Sequence, residues 1–384
     1  MKLLLKPEFD LFVDRITAKA KEVKNIIQLQ WGELAVKPPL DIIKFFKESY
    51  DHGYVRYTTP HGDNSLRQVL VDKLKRKNNV NADIENILVT VGGTAAINFA
   101  FRVVAGDGGY ILTQDPAWFG YSGIAHIAGA KTIKAKESEY SYELFEKIYK
   151  KLKEENKELR VIVLNYPANP TGHIFDVHTL KEALDFSEDY DVLLLSDEAY
   201  EDFVFKGKHV SLGSLRGLDK VVSIYTFSKT YAFTGLRIGY AVGNKDLINA
   251  MAVAQVHTYI SPPSINQYVA RRILEEELEE PFVKKNLKIL QKNLKLVMDY
   301  VEDHAWEMIE PKGGIYAFIR LPGIDSGNFS LKLLEKMNVA VAPGIDFGEN
   351  WKDWLRITIA RTEEEIQEGL DRISKLYSEN SIKN

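Results

Sequence analysis

From Ile87 onward the chain alternates short, continuously apolar β-rich runs with stretches of helical period, and few folds can accept that pattern. The runs cover residues 87–91, 110–113, 161–165, 192–196, 221–225 and 238–242. Between most of them lie helix-period segments, for instance 94–104, 121–128 and 179–188. A strand that is apolar on both faces must be covered on both faces, and strands joined through helices run parallel. The expected fold class is therefore α/β, a large domain whose mainly parallel sheet is sandwiched by helices. Ligands of such sheets sit beyond the carboxyl ends of the strands, so residues that follow each run carry the most information.

At 384 residues the chain exceeds one ordinary core. Its last third changes character: a long charged helix over 281–302, then Gly313-Gly-Ile-Tyr-Ala-Phe-Ile-Arg320, helix, strand, a strand over 355–360 and a closing helix from Glu363. The division expected is an N-terminal segment over 1–47 that packs with a small domain, a large domain over 48–280, and a small α+β domain over 281–384. The chain has no cysteine, which removes disulfides, cysteine metal sites and thiol catalysis. A formal net charge of −4 gives no electrostatic reason for a nucleic-acid partner. The apolar start Met1-Lys-Leu-Leu-Leu is cut short by Lys6, Pro7, Glu8 and Asp10, and no stretch has the length of a membrane span. The expectation is a soluble cytoplasmic protein with no membrane partner.

The densest chemistry lies in Tyr225-Thr-Phe-Ser-Lys-Thr-Tyr-Ala-Phe-Thr-Gly-Leu-Arg-Ile-Gly-Tyr240, where Lys229 and Arg237 share a loop between two apolar strands. A lysine drawn out of water becomes nucleophilic, and an arginine beside it holds an anion; the reading is a Schiff-base lysine next to an anion site. Gly92-Gly-Thr94 opens a helix after a strand, which suits either a phosphate or a plain tight turn. Trp118 follows the next strand and reads as a stacking ring or a core aromatic. In Asn165-Tyr-Pro-Ala-Asn-Pro-Thr-Gly172 two prolines stiffen a loop that aims Asn169 or merely turns. Ser196-Asp-Glu-Ala-Tyr200 places a carboxylate at the end of a buried strand, where it needs a cation or caps a helix. Arg356 interrupts the apolar strand Trp354-Leu-Arg-Ile-Thr-Ile-Ala360 and fits a substrate carboxylate or an internal salt bridge.

Taken in order, Asn169-Pro-Thr-Gly172, Asp197-Glu-Ala-Tyr200 and Ser228-Lys-Thr-Tyr-Ala-Phe-Thr-Gly-Leu-Arg-Ile-Gly239 make nearly the whole chain resemble the fold-type I pyridoxal-phosphate enzymes, and more narrowly the class I aminotransferases of aspartate and aromatic type. The resemblance implies a pyridoxal 5′-phosphate cofactor, a seven-stranded-type sheet and no metal. It implies amino-group transfer from an L-amino acid to a 2-oxo acid, usually 2-oxoglutarate, by ping-pong aldimine and ketimine chemistry. Lys229 would bear the cofactor and move the Cα proton, and Asp197 would keep the pyridine nitrogen protonated. Asn169 and Tyr200 would bind the phenolic oxygen, and Trp118 would stack on the ring. Arg237, Thr226, Gly93 and Thr94 would hold the phosphate, with Tyr57 reaching the phosphate of a neighbouring subunit in a homodimer. Arg356, Gly32 and Asn169 would bind the substrate α-carboxylate.

One departure bears on the substrate. Dicarboxylate-specific relatives carry an arginine shortly before a Tyr-x-x-Pro-Pro pattern; here, before Tyr259-Ile-Ser-Pro-Pro263, that place holds Val256, with His257 beside it. Aspartate is weakened by this, while branched, aromatic or broad donor ranges fit. The same constellation serves carbon–sulfur β-lyases and synthases, because substrate placement selects the bond that breaks. A non-catalytic sensor role would come with a DNA-binding helix-turn-helix domain, and the first fifty residues lack the basic character for one.

Overall fold

In the computed structural model the described residues are 11–38 and 42–381. Seven strands form one sheet in the order Ile87–Thr90, Gly239–Gly243, Val221–Thr226, Leu193–Asp197, Leu159–Asn165, Tyr110–Gln114, Lys131–Ala135. Gly239–Gly243 runs antiparallel to both neighbours, and the remaining pairings are parallel. The sheet is thus mainly parallel, as the apolar runs imply.

Alternation along single strands explains why both faces must be covered. Val161 and Val163 point into a core with Ala96, Ile97 and Ala100 of helix Gly93–Ala105 and with Ile248 and Met251 of helix Lys245–Tyr259. Their neighbours Ile162 and Leu164 point the other way, onto Phe145 of helix Tyr142–Glu154 and Leu180, Leu184 and Phe186 of helix Val177–Tyr190. Such two-sided burial produces continuous apolar runs in sequence. Lys131–Ala135 departs from it: the strand lies at the sheet edge, keeps Lys131 and Lys134 exposed, and so carries no apolar run. Edge strands bearing lysine also resist pairing with other chains.

Beyond helix Glu279–Asp303 the chain builds a smaller antiparallel sheet in the order Ala342–Pro343, Trp354–Thr358, Tyr316–Arg320, Glu307–Ile309. The short strand Ile27–Gln28 pairs with Val339–Ala340, and the amide of Thr358 donates to the Leu29 carbonyl at 2.9 Å. Ile27, Leu29, Leu290, Tyr316, Leu355 and Ile357 share one core there, and that core also takes Tyr200 and Phe203 from the end of the large sheet. The N-terminal segment therefore delivers residues 30–33 to the seam between the two sheets. No described helix is long and apolar enough to cross a membrane.

Candidate active site

Strand register gathers the residues that follow the large sheet. Asn165 pairs with Asp197, and Thr226 and Thr90 both pair with Gly239, so the ends of four strands form one rim. From the small sheet, Arg356 pairs with Phe318, two residues from Tyr316; on a pleated pair this puts Tyr316 and Arg356 on the same face. Between the two sheets lies a cavity of about 420 Å³. Gly32, Gly93, Thr94, Trp118, Asn169, Asp197, Tyr200, Thr226, Lys229, Arg237 and Arg356 all line it. Tyr57 does not: it stands 79% exposed on a separate surface groove with His52, Tyr54 and Arg56. Val256 is half-buried and His257 exposed, and neither lines the cavity.

Asp197 ends its strand almost fully buried. One carboxylate oxygen accepts from the Tyr121 hydroxyl at 2.5 Å, the other from the Ala199 amide at 3.2 Å. Burial pushes its pKa up to about 6, against the pull of these two donors. Neither oxygen touches a cation among the described residues, so the carboxylate is left wanting a positive partner. The sign of the pH effect follows. An acid that is weaker in the fold than in the open chain costs stability as pH rises from about 4 to about 6, and the cost stays constant above that. Asp197→Asn should therefore make the ligand-free protein more stable than wild type at pH 8, by on the order of 2–3 kcal/mol, and should lose that advantage near pH 4. Thermal unfolding at the two pH values reads this directly. Equal midpoints at pH 8 would mean that Asp197 has a counter-charge of its own.

Lys229 sits in the single helical turn Phe227–Thr230 that follows Val221–Thr226, with Thr226 capping it by accepting the Ser228 amide at 3.1 Å. Its Nζ donates to the Gly32 carbonyl at 2.6 Å. A side chain at Gly32 would have no room: its Cβ would fall 1.9 Å from the Tyr316 hydroxyl and 3.0 Å from Lys229 Nζ. Arg237 adopts a left-handed backbone (φ 51°) and donates to the Thr234 carbonyl at 2.9 Å. That conformation swings its guanidinium over the turn at Gly92, where an added Cβ would lie 2.6 Å from Nη2. Gly92 itself has φ 77°, and helix Gly93–Ala105 starts immediately after it. Guanidinium, helix N-terminus and the Thr226 hydroxyl thus border one corner of the cavity, a cradle for an anion.

Arg356 is buried at the opposite end. Nη1 donates to Asn169 Oδ1 at 3.0 Å, Nη2 donates to the Gln30 carbonyl, and Nε has no partner. The internal salt bridge weighed from sequence is absent among the described residues; neutral acceptors hold the cation instead. The guanidinium lines the cavity with no carboxylate of its own among the described residues, and a carboxylate entering there would pair with it.

Several lining residues escape sequence reasoning. Tyr121 follows Trp118 by three positions and meets it edge-on, ring centres 5.2 Å apart, but an aromatic pair at helical spacing reads equally well as core. Tyr316 lies in an apolar strand and carries no polar neighbour in sequence. Trp31 comes from a stretch with no regular period. Behind the site, Glu198, Glu201 and His209 bring potential ligand atoms within 4.8 Å of one another. Protein donors already occupy these groups: His209, Ser211 and Ser196 bond Glu198, while Lys73 and Asn78 bond Glu201.

Residues 24–373 match the family described as aminotransferase class I and II. The chain is 33% identical over 358 residues to a (5-formylfuran-3-yl)methyl phosphate transaminase of Methanocaldococcus jannaschii, covering 93% of each chain. It is 32% identical over 371 residues to an aspartate aminotransferase of Pyrococcus abyssi, covering 94% of each. Among solved structures, an aromatic aminotransferase from Pyrococcus horikoshii superposes with a TM-score of 0.85 at 29% identity, over 95% of this chain and 99% of that one.

Proposed function

The chain belongs to the class I and II aminotransferase family, and on that premise we propose that it moves an amino group from an L-amino acid to a 2-oxo acid, with 2-oxoglutarate as acceptor and pyridoxal 5′-phosphate in the cavity. The observation that carries this reading is the convergence of a primary amine (Lys229), an uncompensated buried carboxylate (Asp197), an anion cradle (Arg237) and an unsatisfied guanidinium (Arg356) on one cavity. Each feature fits a part of the cofactor or substrate. Asp197 would hold a protonated ring nitrogen; Arg237, Thr226 and the Gly93 and Thr94 amides would hold the phosphate; Trp118 would cover the ring.

When bound, pyridoxal phosphate supplies an electron-withdrawing protonated ring that makes the proton on the substrate Cα acidic. The protein's part is to hold and move protons. Lys229 Nζ, on a rigid helical turn, would act as a free amine that takes the proton from the substrate Cα and gives it up again within the cavity. Asp197, ionised, would hold a protonated ring nitrogen. Tyr200 and the Nδ2 of Asn169, whose Oδ1 is taken by Arg356, would be the donors for the phenolic oxygen. Arg356 fixes the α-carboxylate, so the Cα–H bond is presented to Lys229 rather than left to rotate. The second half of the reaction runs these proton movements backward on a 2-oxo acid.

We propose a homodimer in which Tyr57 reaches the phosphate of the neighbouring subunit. Its support is the exposed apolar surface that Ile43, Tyr50 and Val55 make on the same stretch as Tyr57. The reaction is tested by giving the holoprotein an amino acid with no acceptor, where amino-group transfer stops after one equivalent.

A further inference from the structure

Tyr316 lies among three groups to which the proposed reaction gives roles: Tyr200, Arg356 and Lys229. Its hydroxyl is 3.0 Å from the Tyr200 hydroxyl. Its ring lies under the Arg356 guanidinium, 4.1 Å from ring centre to Cζ. The same hydroxyl packs against Gly32, whose carbonyl accepts from Lys229. The residue is 3% exposed, so none of these contacts is shared with bulk water.

We propose that Tyr316 is a positioning residue that donates its hydroxyl hydrogen bond to Tyr200, leaving the Tyr200 O–H to point into the cavity, while its ring fixes the plane of Arg356. The inference rests on the reading given above for the cavity. Its logic is one of hydrogen counting. Between two phenols a single hydrogen bond forms, and whichever donates loses its proton for other partners. Tyr200 can polarise a phenolic oxygen in the cavity only if it accepts from Tyr316 and keeps its own proton free.

The surroundings favour that direction. Tyr316 is faced by Arg356, Lys229, Tyr200 and Glu33; burial would weaken it as an acid, but the two cations and the Tyr200 contact leave it below the usual phenol range. Tyr200 is faced by Tyr316, Arg356 and Asp197, and burial with its Tyr316 neighbour pushes it well above that range. A hydroxyl beside cations turns its oxygen to them and its proton away, here from Arg356 and Lys229 towards Tyr200. The ring contact is independent of the hydroxyl: a guanidinium over an aromatic face is held flat, and here that keeps Nη1 on Asn169 and Nη2 on the Gln30 carbonyl.

The test is a double-mutant cycle in the holoenzyme, read by the pH titration of its visible absorbance and by steady-state kinetics. Tyr200→Phe should raise the titration midpoint, because a phenolic oxygen that loses its donor holds more negative charge and keeps the proton on the adjoining Lys229 nitrogen to higher pH. Tyr316→Phe should shift it the same way by roughly 0.4–1 pH unit. In the Tyr200→Phe background it should add nothing. Since phenylalanine keeps the ring under Arg356, KM for amino donors should stay within about twofold while kcat falls roughly 3- to 10-fold. A midpoint unmoved by Tyr316→Phe, or shifts that add in the double variant, would overturn the proposal. A wild-type holoprotein with no titrating visible band would overturn the underlying reading of the cavity instead.

Discussion

Lys229→Ala is expected to remove covalent attachment of the cofactor and nearly all turnover. Wild-type protein mixed with pyridoxal phosphate should turn yellow, and borohydride should fix the cofactor's mass onto the peptide that contains Lys229. The variant should gain no such mass. Loss of a general base alone costs about 10²–10⁴ in rate, and here the same atom is also the anchor. Nothing else on the cavity wall replaces it: among the described lining residues Lys229 is the one primary amine, and the other basic side chains are the guanidinium groups of Arg237 and Arg356. The fold should survive the change, since the Nζ makes one hydrogen bond, to the Gly32 carbonyl at the cavity edge. Normal turnover by Lys229→Ala would remove this lysine from the mechanism.

Arg356→Ala is expected to raise KM for every amino donor, whatever its side chain. The guanidinium is buried, held by Asn169 and the Gln30 carbonyl, and lines the cavity with no carboxylate partner among the described residues. A carboxylate bound through two charge-assisted hydrogen bonds loses roughly 3 kcal/mol with them, about 10²-fold in kcat/KM. Arg356→Lys should recover little of this, because an ammonium cannot keep both protein acceptors and still meet the substrate. A loss confined to acidic donors would instead make Arg356 a side-chain selector.

The residues legible in sequence share a physical reason for being so. Lys229, Asp197 and Arg356 are charges set inside apolar strands or at their ends, where burial without a function is expensive. Gly93, Thr94 and Asn169 sit at turns whose backbone demands are visible as glycine or proline. The mainly parallel sheet followed from strands buried on both faces, and the strand Lys131–Ala135 was hidden because an edge position lets lysines interrupt a half-buried run. Tyr121 and Tyr316 were illegible for the opposite reason to Lys229: a buried tyrosine in an apolar setting is ordinary, and only its hydroxyl partners, Asp197 and Tyr200, give it away. Gln30 was equally silent, since its backbone carbonyl rather than its side chain touches Arg356.

What one amino acid does to the holoprotein when no 2-oxo acid is present separates amino-group transfer from β-elimination on the same residues. Amino-group transfer predicts a single turnover: one equivalent of 2-oxo acid per cavity, loss of the yellow colour as the amino group stays on the cofactor, no free ammonia, and return of the colour when 2-oxoglutarate is added. Continuous release of ammonia together with pyruvate from a cysteine or cystathionine donor would contradict it, and would make the same Lys229, Asp197 and Arg356 the machinery of a β-elimination.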